Sequence, residues 1–307
     1  MKANSTSLMV CFLVAALPMI ACAQVETVFN DIHFNEPLKV VHEKVKEISE
    51  STQIIVVDKT SFPLARDKEE HLVCTNVKTK EGLVSKIAFT FADDKLASIE
   101  AKGNAVECLI NSRKDTAVSY LHFKAFPSDL LIGDPQEDRV WMLTKESGHV
   151  NLFTWHNPYL SSKRPVPVYE PSAKIPDILK MGGHIDELTP ILKSGSMFTN
   201  IETLDGSDPN AQTQVNCFGV EYAGFPRKLE ARFGDSRLNA VWILTAKAEE
   251  DRIRKKLTEE FGKALFINDK WEVFNDWQVL LRKDKPEVLL LTRDLGVAYK
   301  NQLGEKH

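Results

Sequence analysis

Three short stretches of the sequence have residue types that could do chemistry. His42-Glu43-Lys44-Val45-Lys46 begins like the helix of a zinc protease. That chemistry needs two histidines one helical turn apart as ligands, with the glutamate between them as base. Lys46 stands where the second histidine is required, so zinc has too few ligands and His42 reads as a solvated helix residue. Asp205-Gly206-Ser207-Asp208-Pro209-Asn210 spaces its oxygen donors like the start of a calcium loop. Pro209 replaces a ligand and no glutamate closes the loop, which leaves a polar turn. Cys217 would serve as a nucleophile beside a histidine, but Cys74 precedes the equivalent hairpin of an internal repeat, which favours core packing for both. The 307 residues contain no Gly-x-Ser-x-Gly elbow, Cys-x-x-Cys pair, Gly-rich phosphate loop or dinucleotide fingerprint. The sequence therefore assigns no catalytic residue, no metal ligand and no cofactor.

Lys2, the apolar run 8–21 and the small residues of Ala21-Cys22-Ala23 predict a signal peptide over 1–23, cleaved after Ala23. A retained anchor and lipoprotein processing at Cys22 are the alternatives. The run is short for a bilayer span, and Met19 replaces the leucine usual in a lipoprotein box. The mature chain then holds Cys74, Cys108 and Cys217, an odd set that allows one internal bridge. Cys74 and Cys108 are the expected disulfide, since both fall in one structural unit; such a bridge would add roughly 3–4 kcal/mol. The alternative is that all three are small buried hydrophobes. A formal net charge of −4, with Lys and Arg interspersed among Asp and Glu, provides no basic stripe for nucleic acid. Together these features point to a bacterial protein that is secreted, periplasmic or at the cell surface, with no membrane span in its mature form.

The elements that would position any site occur twice. Lys86-Ile87-Ala88-Phe89-Thr90-Phe91-Ala92-Asp93-Asp94-Lys95-Leu96 aligns without gaps to Lys228-Leu229-Glu230-Ala231-Arg232-Phe233-Gly234-Asp235-Ser236-Arg237-Leu238. In both copies an alternating apolar strand runs into an acidic turn, with Asp93 or Asp235 suited to bond its own downstream backbone. A short helix precedes each hairpin, aligned from His33 and from His184. Leu38, Val41, Val45 and Ile48 lie at helical spacing in the first copy. Two further strands follow, with the run from Arg139 matched to the run from Trp277. In the second copy a charged helix carries Ile253, Leu257 and Phe261 on one face and ends at Gly262. The same order of features predicts two repeated α+β modules, each a mostly antiparallel sheet with helices on one face. The expected boundaries are 24–160 and 183–307, joined by a proline-rich linker over 161–182. Residues 32–160 and 183–303 should superpose, with Phe91 over Phe233 and Leu96 over Leu238.

A sheet covered on one side leaves the other free for partners, and aromatic residues there are preferred anchors. A strand over 150–155 would place Phe153 and Trp155 on one face; Trp141 and Trp242 lie in strands as well. These four are the candidate interaction residues. Trp242 stands where Glu100 stands in the first copy, which argues against a deep core at that position.

Tandem modules with a helix followed by the hairpins Phe91-x-Asp93-x-Lys95-Leu96 and Phe233-x-Asp235-x-Arg237-Leu238 resemble the β-lactamase inhibitory protein and BamE-like modules of bacteria. The resemblance implies a non-enzymatic binding role through the exposed sheet. The expected function is therefore protein binding or surface attachment, as an inhibitor, adhesin or envelope assembly factor. The alternatives are an exported hydrolase or redox enzyme with scattered site residues, and a small-ligand or lipid carrier. The expected partner is another protein or a cell-surface component, not nucleic acid.

Overall fold

The computed structural model describes residues 29, 31–111, 113, 117–161 and 171–304. The segment 1–23, expected as a signal peptide, and residues 162–170 of the expected linker lie outside the described residues. The chain divides into two compact units, Met1–Thr60 with Ala65–Val166, and Ser61–Leu64 with Pro167–His307.

In the first unit α1 (Leu38–Lys46) leads into β1 (Ser51–Val57), β2 (Glu69–Thr79), β3 (Gly82–Ala92) and β4 (Lys95–Lys102). A π-helical turn at Glu107–Asn111 precedes β5 (Val118–Tyr120), β6 (Phe123–Phe126), β7 (Leu131–Asp134), β8 (Arg139–Leu143) and α2 (Lys145–His149). In the second unit α3 (Ile185–Ser194) is followed by β9 (Phe198–Thr203), β10 (Thr213–Tyr222), β11 (Phe225–Gly234) and β12 (Arg237–Leu244). Then come α4 (Glu250–Phe261), β13 (Phe266–Ile267), β14 (Trp271–Phe274), β15 (Val279–Arg282), β16 (Glu287–Leu291) and α5 (Arg293–Gly304). Each unit holds one eight-stranded antiparallel sheet. The strand orders, β1-β2-β3-β4-β8-β7-β6-β5 and β9-β10-β11-β12-β16-β15-β14-β13, are the same order twice.

The repeat holds at the level of register. Phe91 pairs with Leu96 and Phe233 with Leu238, and each ladder is irregular immediately before that phenylalanine. Both hairpins close through two residues of positive φ, Asp93 and Asp94 in one, Asp235 and Ser236 in the other. That is the backbone a two-residue turn needs to match the twist of its strands, and short polar residues tolerate it. The Asp93 carboxylate does not bond its downstream backbone as expected. It accepts the backbone N–H groups of Arg66, Asp67 and Lys68 at 2.8–2.9 Å, tying the approach to β2 onto the turn. Partial burial works against ionisation there, but the three donors hold the Asp93 carboxyl below its usual range.

Cys74 pairs with Ile87 and Cys217 with Leu229, so the two cysteines occupy one repeat position. Two residues beyond them, Asn76 and Gly219 both have positive φ. A Cβ on Gly219 would come within 2.9 Å of Met197, so glycine is required there. All three described cysteines are free and buried. The expected Cys74–Cys108 bridge is therefore corrected. Cys108 lies against Gly82 and Asn104 at the far end of the β2–β3 hairpin, while Cys74 sits mid-strand against Ile87. Burial pushes the Cys74 and Cys217 thiols up to about 12 and about 11, as inert core cysteines require.

Each main core lies on one sheet face. Val41 and Val45 of α1 pack over Leu72, Ile87, Phe89 and Phe91. In the second unit Leu188 and Leu192 of α3, with Ile253 and Leu257 of α4, pack over Val215, Leu229 and Phe233. Residues 171–182, expected as spacer, contribute Ala173 and Leu179 to this second core. The opposite faces are not left open either. Tyr159 and Leu160 pack on Val73 and Ala88 of the first sheet. Leu295, Tyr299 and Leu303 of α5 join Leu280, Leu289 and Trp242 on the second.

Two alignments shift. The hydrogen bonds of Leu96 to Asn35 and Glu36 recur as those of Leu238 to Gly182 and Gly183, which places Pro37, not His33, opposite His184. Topology likewise places the strand from Arg139 opposite the strand from Glu287, not the run from Trp277.

Candidate functional site

The second faces of the sheets are where the two copies diverge. Where the first sheet has His71, Thr90, Glu100 and Trp141, the second has Gln214, Arg232, Trp242 and Leu289, as the ladders show. The core faces keep apolar residues at Leu72/Val215, Ile87/Leu229, Phe91/Phe233 and Ile99/Val241, so divergence is concentrated on the face that does not hold the fold's main core.

In the first unit this face carries a buried polar network. His71, 0% exposed, places Nε2 3.0 Å from Glu69 Oε1, and Glu69 Oε2 accepts from the Thr60 hydroxyl at 2.9 Å. Asn157 Nδ2 donates to His71 Nδ1 at 3.0 Å and to Thr90 Oγ1 at 3.2 Å. Because Nδ1 accepts, the ring proton resides on Nε2 and is donated to Glu69. The Asn157 backbone N–H donates to Glu100 Oε2 at 2.7 Å, and Arg139 Nη1 donates to Glu100 Oε1. Burial pushes the Glu100 carboxyl up to about 7, against the pull of Arg139 and the Asn157 N–H. Asn157 caps the 3₁₀ turn Pro158–Leu160 through its own Oδ1. The network thus fastens the segment 150–160 onto the sheet.

That segment is not the expected strand. It consists of the end of α2 followed by 3₁₀ turns at Leu152–Thr154 and Pro158–Leu160. Phe153 is buried against Phe123, with ring centroids 5.2 Å apart. Trp141 is 2% exposed, stacks on His156 and donates its indole N–H to the Trp155 carbonyl. Both belong to the packing of the first unit and offer no surface to a partner. Trp155 remains half-buried. Glu100 is buried as well, so a glutamate in one copy did not mark a solvent position: a cross-strand arginine satisfies it there.

In the second unit the same face presents an arginine–tryptophan stack. The Arg232 guanidinium lies 5.7 Å from the Trp242 ring centre, and that of Arg282 lies 5.8 Å from Trp242 and 5.6 Å from Trp271. Tyr299 of α5 meets Trp271 edge to face at 6.3 Å. Neighbouring groups fix the guanidiniums: Gln214 and Glu230 accept from Arg232, and Asp284 and Glu287 accept from Arg282. Trp242, Trp271 and Tyr299 are all half-buried, and the Arg232 and Arg282 side chains retain 31% and 28% of their exposure. Burial alone would raise the Glu230 carboxyl, but Lys228 and Arg232 hold it below its usual range. Phe91 and Phe233 are buried, as expected.

Sequence reasoning singled out Trp242 and missed Arg232, Trp271, Arg282 and Tyr299. The signal for the last three was a second repeat segment. Leu143-Thr144-Lys145-Glu146-Ser147-Gly148 matches Leu291-Thr292-Arg293-Asp294-Leu295-Gly296 and sets β16 beside β12, with β15 and β14 following it in the sheet and α5 leaving from its end. His42 bonds Thr52, and among the described residues no group of three or more His, Cys, Asp or Glu is placed to hold a metal ion. No described helix is long and apolar enough to cross a membrane. Compared with family models, curated proteins and solved structures, the chain matches none.

Proposed function

We infer that this is an exported binding protein that engages a protein or cell-surface partner through the second sheet face of its C-terminal unit. The observation that carries this reading is the half-exposed stack Arg232–Trp242–Arg282–Trp271. Tryptophan, tyrosine and arginine are the residues that dominate binding energy at interfaces. Here they are pre-ordered by their own carboxylate and amide partners, which lowers the entropy lost on association. On the equivalent face of the first unit Trp141 and Arg139 are buried, and a histidine–carboxylate network lies beneath the segment 150–160. Full burial of His71 and Glu69 favours a structural role for that pair over acid–base catalysis on a substrate.

Capture from envelope extract with immobilised wild-type protein and its Trp242→Ala and Arg282→Ala variants tests the proposal. Loss of roughly 2 kcal/mol, about thirtyfold in affinity, is expected for each. Folded variants that retain the wild-type set of captured proteins would refute it.

A further inference from the structure

We propose that two copies of this chain associate by antiparallel pairing of their β1 edges, extending the first sheet across a twofold axis centred on Ile55. This goes beyond the reading above and uses a different surface.

Among the described residues β1 forms one edge of its sheet, with β2 as its one paired strand. An edge strand exposes unpaired N–H and C=O groups, and proteins usually guard them with charge, proline or a bulge. Ser51-Thr52-Gln53-Ile54-Ile55-Val56-Val57 has none of these residues, and its pairing with β2 is unbroken. Ile54 and Val56 are 40% and 58% exposed although they pair with Leu72 and Glu70 on the core side of the sheet.

The second unit provides an internal control. β9 is the equivalent edge, and its pairing places Ile201 opposite Val215 as Ile54 lies opposite Leu72. There Glu202 and Thr203 stand where β1 has Ile55 and Val56. The same edge of the same fold is therefore guarded in one copy and unguarded in the other.

Charge and side-chain matching choose the occupant and the register. A twofold axis normal to the sheet allows only pairings that keep each residue opposite one on its own face. Centring on Ile54 would set Glu50 against Asp58 of the other copy, two like charges. Centring on Val56 would set Ile54 against Asp58. With Ile55 on the axis, Ile54 lies opposite Val56 and Ser51 opposite Lys59, with no like-charge pair. An uncharged strand that matches itself in this register, apolar against apolar and without like charges, points to a second copy.

Cysteine scanning with sedimentation tests the register and the interface together. In the purified chain lacking residues 1–23, which carry Cys11 and Cys22, Ile55→Cys should cross-link to a covalent dimer on oxidation, its two Cβ atoms lying roughly 5 Å apart. Gln53→Cys should not, since its two copies would be four residues out of step, about 13 Å apart. The native thiols at 74, 108 and 217 are buried and should not compete. Sedimentation velocity should show a dimer for the wild type, with Val56→Lys weakening it at least tenfold. A wild-type monomer at 100 μM overturns the proposal, as does a dimer indifferent to Val56→Lys or cross-linking at Gln53 in place of Ile55. If Ile55→Cys fails to fold by circular dichroism, the Val56→Lys comparison decides alone. A monomer that instead holds a strand of a different protein on β1 counts against it.

Discussion

Glu100 makes the stability of the first unit depend on pH in a direction opposite to that of most paired carboxylates. Its carboxyl is buried between Arg139 and the Asn157 N–H, with Lys102 on its own strand and the His71–Glu69 pair joined to the same network through Asn157. Burial raises it from the ordinary 4.5 to about 7. A group whose folded value exceeds its unfolded value contributes stability that is complete below about pH 4.5 and is lost as pH rises through about 7. A shift of this size amounts to about 3 kcal/mol, most of which should be lost between roughly pH 5 and pH 8. Glu100→Gln removes the titration but retains an acceptor for Asn157. Its amide resembles the protonated carboxyl that the wild type holds below about pH 7, so any offset the substitution itself introduces does not vary with pH. The informative quantity is therefore the gap between variant and wild type, measured by denaturant titration at several pH values. That gap, wild type minus variant, should fall by about 2–3 kcal/mol from roughly pH 5 to pH 8, as the wild type loses stability that does not titrate in the variant. A gap that stays constant, or that widens as pH rises, would show that the attraction of Arg139 outweighs burial, and the reasoning would fail.

Trp242→Ala should lower stability by about 1–2.5 kcal/mol, because its ring is only partly buried, whereas Phe233→Ala in the core should cost about 3–5 kcal/mol; thermal melting separates the two. Unfolding without reductant should release the thiols of Cys74, Cys108 and Cys217 together, and detection of a bridge among them by mass spectrometry would contradict the packing described. Asp93→Ala should cost about 1–3 kcal/mol by stripping three backbone donors of their acceptor. Asp235→Ala should cost less, since only the Asp235 backbone N–H, bonded to Gln212, is tied down there, and chemical denaturation of both variants checks the ranking.

The duplication, the hairpin register and the inward-facing residues were legible in the amino-acid sequence, because they depend on local periodicity. Strand alternation placed Phe91 and Phe233 inside, and Asp93 and Asp235 fell at a turn whose positive φ suits short polar side chains. The helix over Leu38–Lys46 and that ending at Gly262 followed from spacing and cap residues in the same way. What occupies the second faces was not legible, since it depends on contacts between residues far apart in the chain. Arg139 meets Glu100 only because β8 inserts beside β4, and Asn157 reaches His71 only because a 3₁₀ turn folds back over the sheet. The run 150–155 alternates like a strand, yet no neighbouring strand is placed to receive it, and its aromatic residues pack into the first unit as helical turns. The cysteine count suggested a bridge, but a disulfide requires two sulfurs to meet, and Cys74 sits mid-strand while Cys108, in the π-helical turn, lies against the far end of the β2–β3 hairpin. Trp242 alone pointed to the arginine–tryptophan stack; its partners are assembled from β11, β14, β15 and α5, and only the sheet order brings them together.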